Sequence, residues 1–293
     1  MTRMDEILDQ VASIQPLPDT VMKLMNVIND PKSTIDDIIE VVRYDQAVTT
    51  QMLRICNSAY FALSREIDSL NDAIRMLGTM KILQLVMAVH SNSLLANRQS
   101  GYGLEPGILW KHSVGVAITA TWFAKKIHYP NANLAFTAGL LHDVGKTILN
   151  EYVGREFAEI VRRVKKDNLS FSEAEHAVLG FSHEEIGAKV AEKWQVPEHI
   201  TRCIRHHHDP RSLTPPDSLV DAVYLADCVC LLLGIGLGMD GLSYRADHEI
   251  MERYELRESD LEVAGTQMML ELKRVTQMFI DPGKTQEPQL VTG

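Results

Sequence analysis

An all-α, two-lobed protein is predicted by three features of the sequence. Apolar residues recur at helical spacing over most of the 293 residues. Strand signals are scarce: no Asn-Gly hairpin joins alternating runs, and no strand leads into a Gly-rich loop, so an α/β nucleotide-binding fold is not expected. Finally, the stretch Gln99 to Gly107 holds three glycines and Pro106 and is the best candidate for a boundary between lobes.

The elements follow in order. Ile7, Leu8, Val11 and Ile14 mark a first helix, stopped by Pro16 and Pro18. Val21, Leu24, Met25 and Ile28 mark a second, ending near Asp30-Pro31. Ser33 and Asp36 resemble a capping box opening a third over Ile35, Ile38, Ile39 and Val42. Val48, Met52 and Ile55 lie on a fourth; Ser69 and Asp72 open a fifth, which Gly78 closes, and a longer helix runs from about Thr79 to Leu95. The boundaries drawn are an N-terminal helical lobe over 1–100, a second lobe over 101–280 and a polar tail over 281–293.

Composition narrows the classes. The chain is 45% apolar, as a globular domain is, and carries a formal charge of −10, which argues against nucleic acid as the main partner. The start lacks the basic and apolar runs of a signal peptide, and Val229 to Leu237 is too short to span a bilayer. Cys56, Cys203, Cys228 and Cys230 form no CxxC pair, and Cys228 and Cys230 fall on different helix faces. A reducing cytoplasm, away from membranes, fits best.

The informative feature is ionisable residues where helices should place core side chains. His112 shares a stripe with Leu109, Val116 and Ala120. His142 shares one with Ala135, Ala138 and Gly139, and Asp143 adjoins it. His183 follows the capping box of Ser182 and Glu185 and lines up with Gly187, Val190, Ala191 and Trp194. His207 lies on the stripe of Ile200 and Cys203, and His208 one turn after Ile204, whereas His206 aligns with polar Arg202. Asp227 shares a face with Val220, Val223 and Tyr224. Buried imidazoles and carboxylates are costly unless paired. A divalent cation would neutralise the carboxylates and take the imidazoles as ligands at about 2.0–2.3 Å. This donor set suits iron, manganese, zinc or nickel.

The string His112, His142-Asp143-Val144-Gly145-Lys146, His183, His207-His208 and Asp227 resembles the HD metal-dependent phosphohydrolase superfamily, and most of all its HD-GYP branch. The resemblance implies that Asp143 bridges two metals. His112, His142 and Asp227 would complete one, His183, His207 and His208 the other, and Lys146 would contact a phosphate. The chain departs from that branch in two ways. Asp209-Pro210-Arg211 follows the His-His pair with no Gly-Tyr-Pro, and Ile108 stands where trinuclear members have a glutamate, so two metals are the upper expectation.

Pro16-Leu17-Pro18, Asp30-Pro31, Asn57-Ser58-Ala59-Tyr60 and the run Ser69 to Gly78 resemble the HDOD family, as do Trp194, Pro197 and His207-His208-Asp209-Pro210. The match covers roughly residues 5 to 235. Asn57 and Ser58 also read as an ordinary helix cap and turn, and Met76, Met80 and Met87 as core filler. The HDOD resemblance implies a bacterial signal-transduction module acting on other signalling proteins or through self-association. Most HDOD members have lost several HD ligands, and this chain retains the set. The competing expectation is a metal-dependent phosphohydrolase acting on a nucleotide or cyclic dinucleotide phosphodiester. Asp143 and Lys146 would then be the catalytic residues. His90, His128, His176, His199 and His248 are assigned no role.

Overall fold

A computed structural model describes residues 19–30, 32–42, 95–236 and 247–280, with isolated positions between 49 and 88. The expected helices at Ile7 to Ile14 and around Met52, most of the Asn57-Ser58-Ala59-Tyr60 and Ser69 to Gly78 motifs, most of the helix from Thr79, and the tail from Asp281 lie outside the described residues.

Among the described residues the fold is all-α, with one isolated bridge between Gln99 and Leu104. The N-terminal part contributes α1 (Asp19–Asn29) and α2 (Ile35–Val42). The cap of α2 falls one residue later than the sequence motif placed it. Thr34, not Ser33, offers its hydroxyl to the Asp37 amide at 3.4 Å, while the Asp37 carboxylate takes the Thr34 N–H at 2.7 Å. Both pairs have capping-box spacing, and only one can cap a helix that starts at Ile35. Ser69 and Asp72 bond as expected, with the Asp72 amide 3.1 Å from Ser69 Oγ, and Gly78 donates to the Ile74 carbonyl at φ +77°.

The later body is built on α3 (Ile108–Lys126), α4 (Ala132–Leu141), α5 (Val144–Asp167), α6 (Phe171–Leu179), α7 (His183–Lys193), α8 (Glu198–His206) and α9 (Ser218–Leu232). Two further helices, α10 (His248–Arg253) and α11 (Glu258–Ile280), follow. Helices α3 and α9 are apolar on nearly every face and are buried accordingly, α3 packing against α4, α9 and α11. Glycine allows the close crossings. A Cβ on Gly139 of α4 would lie 2.9 Å from the Ala117 Cα of α3, and one on Gly145 of α5 only 1.9 Å from the His183 carbonyl oxygen of α7. Val21 and Met25 of α1 join the same apolar core as α3 to α11.

The stretch Gln99 to Gly107 is a closed, anchored loop. Gln99 and Leu104 exchange backbone hydrogen bonds at 3.0 Å, and Gly107 N–H reaches the Ala96 carbonyl. Gly101, Tyr102 and Leu104 are buried. Gly101 donates to Asn150 Oδ1 at 2.8 Å, and a Cβ there would meet the Asn150 carbonyl at 2.0 Å. Gly101 therefore serves close approach to α5, whereas Gly103 and Gly107 take the left-handed backbone at φ +69° and +78°.

Candidate metal centre

Five stretches of chain carry the predicted ligands. His112 projects from the second turn of α3, and His142-Asp143 forms the junction of α4 and α5. Ser182 caps α7 through a full capping box with Glu185, which fixes His183 as its first residue. His207 and His208 follow the end of α8, and Asp227 lies in the middle of α9. All seven are buried or nearly so.

The structure brings these seven residues together in two groups joined at Asp143. Asp143 Oδ2 faces His112 Nε2 at 3.6 Å and His142 Nε2 at 3.4 Å. Asp143 Oδ1 faces His183 Nε2 at 3.4 Å and His207 Nε2 at 3.5 Å. Asp227 Oδ1 lies 3.0 Å from His112 Nε2 and 3.8 Å from His142 Nε2, and its Oδ2 lies 3.6 Å from His208 Nδ1. Each oxygen of one carboxylate thus looks into a different histidine group.

The outward nitrogens explain why the inward ones are available. His112 Nδ1–H donates to the Ile235 carbonyl at 2.9 Å, His142 Nδ1–H to Gly139 at 2.7 Å and His207 Nδ1–H to Ile204 at 2.9 Å. A carbonyl only accepts, so these three rings carry a proton on Nδ1 and turn Nε2 inward. His183 is held in the same way by a carboxylate, Glu175 Oε2, at 2.7 Å. His142 Nε2, His183 Nε2, His207 Nε2 and Asp143 Oδ1 are all buried without a hydrogen-bond partner. Lone pairs converging on carboxylate oxygens at 3–4 Å repel one another unless a cation or protons lie between them. The donor set therefore fits a divalent metal.

The electrostatics differ along the cluster: burial opposes charge on His112, but Asp227 outweighs it and raises the ring. Burial would raise the Asp143 carboxyl, but His142 and Lys146 hold it well below the usual range. Asp227 is likewise raised by burial and lowered, on balance, by His112. Burial depresses His142, and burial together with His207 and His183 depresses His208 further, which favours neutral ligand imidazoles. Burial also opposes the charge on His183, but Glu184 and Glu175 outweigh it and lift the ring to about 9. Asp143, Asp227, Glu175 and Glu184 are buried, and among the described residues only Lys146 stands with them as a fixed cation. With neutral imidazoles, one or two divalent ions bring this volume within one charge of neutrality.

Three further placements bear on the expectations. Lys146 is buried and donates to Asp143 Oδ2 at 2.7 Å, so its ammonium lies among the ligands. Arg211, the other side chain near the His-His pair that could meet a phosphate, is held by Asp247 and Glu249. His206 stays outside the cluster, its Nδ1 2.9 Å from Ser212 Oγ.

The sequence reading passed over Glu175, Glu184 and Tyr102. Glu175 is wholly buried and accepts both the His183 amide, at 3.0 Å, and its ring. Glu184 Oε2 lies 3.3 Å from His183 Nδ1, and its other oxygen accepts from Ser172. A signal existed for Glu175, which falls on the buried stripe of Phe171, Ala174 and Leu179, as the histidines do on theirs.

Gly236 shapes the same site from the far side. At φ +81° it backs onto His112, and a Cβ there would lie 2.5 Å from the His112 ring. Gly236→Ala is expected to cost at least about 1–2 kcal/mol through the left-handed backbone alone. It should also displace His112 and lower metal content. Thermal melting and elemental analysis check this, and a variant that keeps full metal content would show that His112 tolerates the shift.

Comparison with known proteins agrees with this architecture. The HDOD domain model matches residues 14–210, a span that includes every predicted ligand except Asp227. An HDOD domain protein with unknown function from Geobacter sulfurreducens superposes with a TM-score of 0.76 at 26% identity, over 95% of this chain and 97% of that one. An uncharacterized protein of Treponema pallidum is 24% identical over 205 residues, which are 69% of this chain and 39% of the relative. Ribonuclease Y of Thermus thermophilus is 32% identical over 112 residues, 38% of this chain and 14% of the enzyme. The chain thus spans well under two thirds of either relative. No helix among the described residues is long and apolar enough to cross a membrane. With the match covering 14–210 and the fold shared along nearly its whole length, the chain belongs to the HDOD domain family.

Proposed function

We propose that the chain is a cytoplasmic regulatory HDOD module of bacterial signal transduction, carrying a metal centre of the dinuclear HD type in its second lobe, 101–280. The observation that carries this reading is Asp143, whose two oxygens face two separate histidine groups. His112, His142 and Asp227 would hold one ion and His183, His207 and His208 the other, with Asp143 shared. Iron, manganese, zinc and nickel all suit these donors. Regulation would act on separate signalling proteins or through a second copy of the chain.

A second reading, a metal-dependent phosphohydrolase acting on a nucleotide or cyclic dinucleotide, is favoured by the complete ligand set and the stretch shared with ribonuclease Y. Bound metals would supply Lewis acidity and a water of lowered pKa. The chain itself would have to place a phosphate beside them, and here its means are slight. Lys146 is tied to Asp143 and Arg211 to Asp247. Misplaced substrates cost orders of magnitude in rate. The regulatory reading therefore ranks first, and hydrolysis of cyclic dinucleotides is expected to be weak or absent.

Elemental analysis of the purified chain, coupled to a screen for phosphate release from nucleotides and cyclic dinucleotides, tests both readings. Bound metal without turnover supports the regulatory module. Robust turnover abolished by His142→Ala reverses the ranking, and absence of any metal removes the centre from both.

A further inference from the structure

His112, His142 and His207 turn their outer nitrogen to a backbone carbonyl, but His183 turns its own to a carboxylate, and that carboxylate is itself held. Glu175 Oε2 takes both the His183 ring N–H, at 2.7 Å, and its amide, at 3.0 Å. The other oxygen, Oε1, accepts from the Tyr102 hydroxyl at 2.6 Å. Tyr102 is fully buried, its ring against Phe171 and edge-on to His183. It belongs to the closed loop at residues 99–107, which leads directly into α3 and its ligand His112. The ammonium of Lys146, which also bonds Asp143, lies 5.9 Å from the Tyr102 ring centre.

We propose that Tyr102 and Glu175 are positioning residues for His183, and that they tie filling of the metal centre to closure of the 99–107 loop. The inference rests on the metal reading above. Relative to the neutral ring, a ring whose Nε2 binds a cation is a stronger donor at Nδ1, so the bond to Glu175 tightens and polarises the next bond in the chain, from Tyr102. The coupling is reciprocal: whatever closes the loop tightens metal binding by the same factor. A signalling module gains from this a route by which metal occupancy alters the segment joining its N-terminal part to α3.

The test uses the full chain with Mn2+ as the probe, replaced by iron, zinc or nickel should wild type not bind Mn2+. Wild-type protein and Tyr102→Phe are compared by Mn2+ titration, by melting of the metal-free protein, and by amide hydrogen exchange over residues 99–104 with and without Mn2+. In wild type, Mn2+ should slow exchange of the loop by roughly tenfold. Tyr102→Phe should bind Mn2+ roughly 10- to 100-fold more weakly. It should also lose the Mn2+ dependence of loop exchange while melting, metal-free, near wild type. Should that variant not fold, Glu175→Gln, which preserves side-chain shape and removes the charge, is put through the same titration and should also bind more weakly. Wild-type Mn2+ affinity in the variant that folds, or loop exchange indifferent to Mn2+ in wild type, overturns the inference and leaves the metal reading standing. Failure of wild type to bind Mn2+, iron, zinc or nickel overturns both.

Discussion

Asp143→Asn is expected to empty both metal positions at once. Its two oxygens each face one histidine group at 3.4–3.6 Å, so a single substitution weakens both. Asparagine preserves the shape but removes the charge and turns one oxygen into a donor aimed at lone pairs. Loss of an outer hydrogen-bond partner typically costs 10–100-fold in metal affinity; loss of the shared ligand should exceed about 100-fold. Elemental analysis after dialysis against Mn2+ reads the result. Retention of one ion would mean that Asp143 serves a single position, and retention of two that it is no ligand. Asp143→Ala should do the same to the metals and also destabilise the fold. It leaves the Lys146 ammonium buried without its carboxylate, a change worth about 3–5 kcal/mol.

The second large effect is expected from Gly145→Ala, one methyl group in the middle of the His-Asp-Val-Gly-Lys run. The new Cβ would sit 1.9 Å from the His183 carbonyl oxygen and 2.9 Å from Gly187 N, so backbone must move. The opposing element is equally tight, since a Cβ on Gly187 would meet Ile204 Cγ2 at 3.0 Å and Gly145 N at 3.1 Å. Overpacking of this kind costs about 1–3 kcal/mol. The displaced residue is His183 itself, so metal affinity should fall together with stability. A denaturant midpoint and Mn2+ titration measure the two; unchanged values for both would show that α5 and α7 part without consequence. The glycine of that motif, read from sequence only as part of a pattern, therefore has a physical duty: it seats α5 on the first turn of α7.

Local periodicity determined much of this protein. The helices from Asp19 to Val42, and those that carry His112, His142, His183, His207 and Asp227, follow from apolar spacing and capping residues. The same spacing picked out His112, His142, His183, His207 and Asp227 as inward-facing and His206 as outward-facing, because a helix converts sequence offset into direction. His208 was placed by the same spacing, one turn after Ile204, and Asp143 by adjacency and by resemblance to known families. Tertiary structure decided what periodicity cannot carry. The Tyr102 and Glu175 partners lie 73 residues apart, and His112 and the Ile235 carbonyl that orients it lie 123 apart. Nor did composition foresee that Gly101 of the 99–107 stretch serves close approach to α5. A polar residue on an apolar stripe shows that a partner must exist; which partner answers depends on helix crossings set by backbone-to-backbone approach, and those are written across the whole chain.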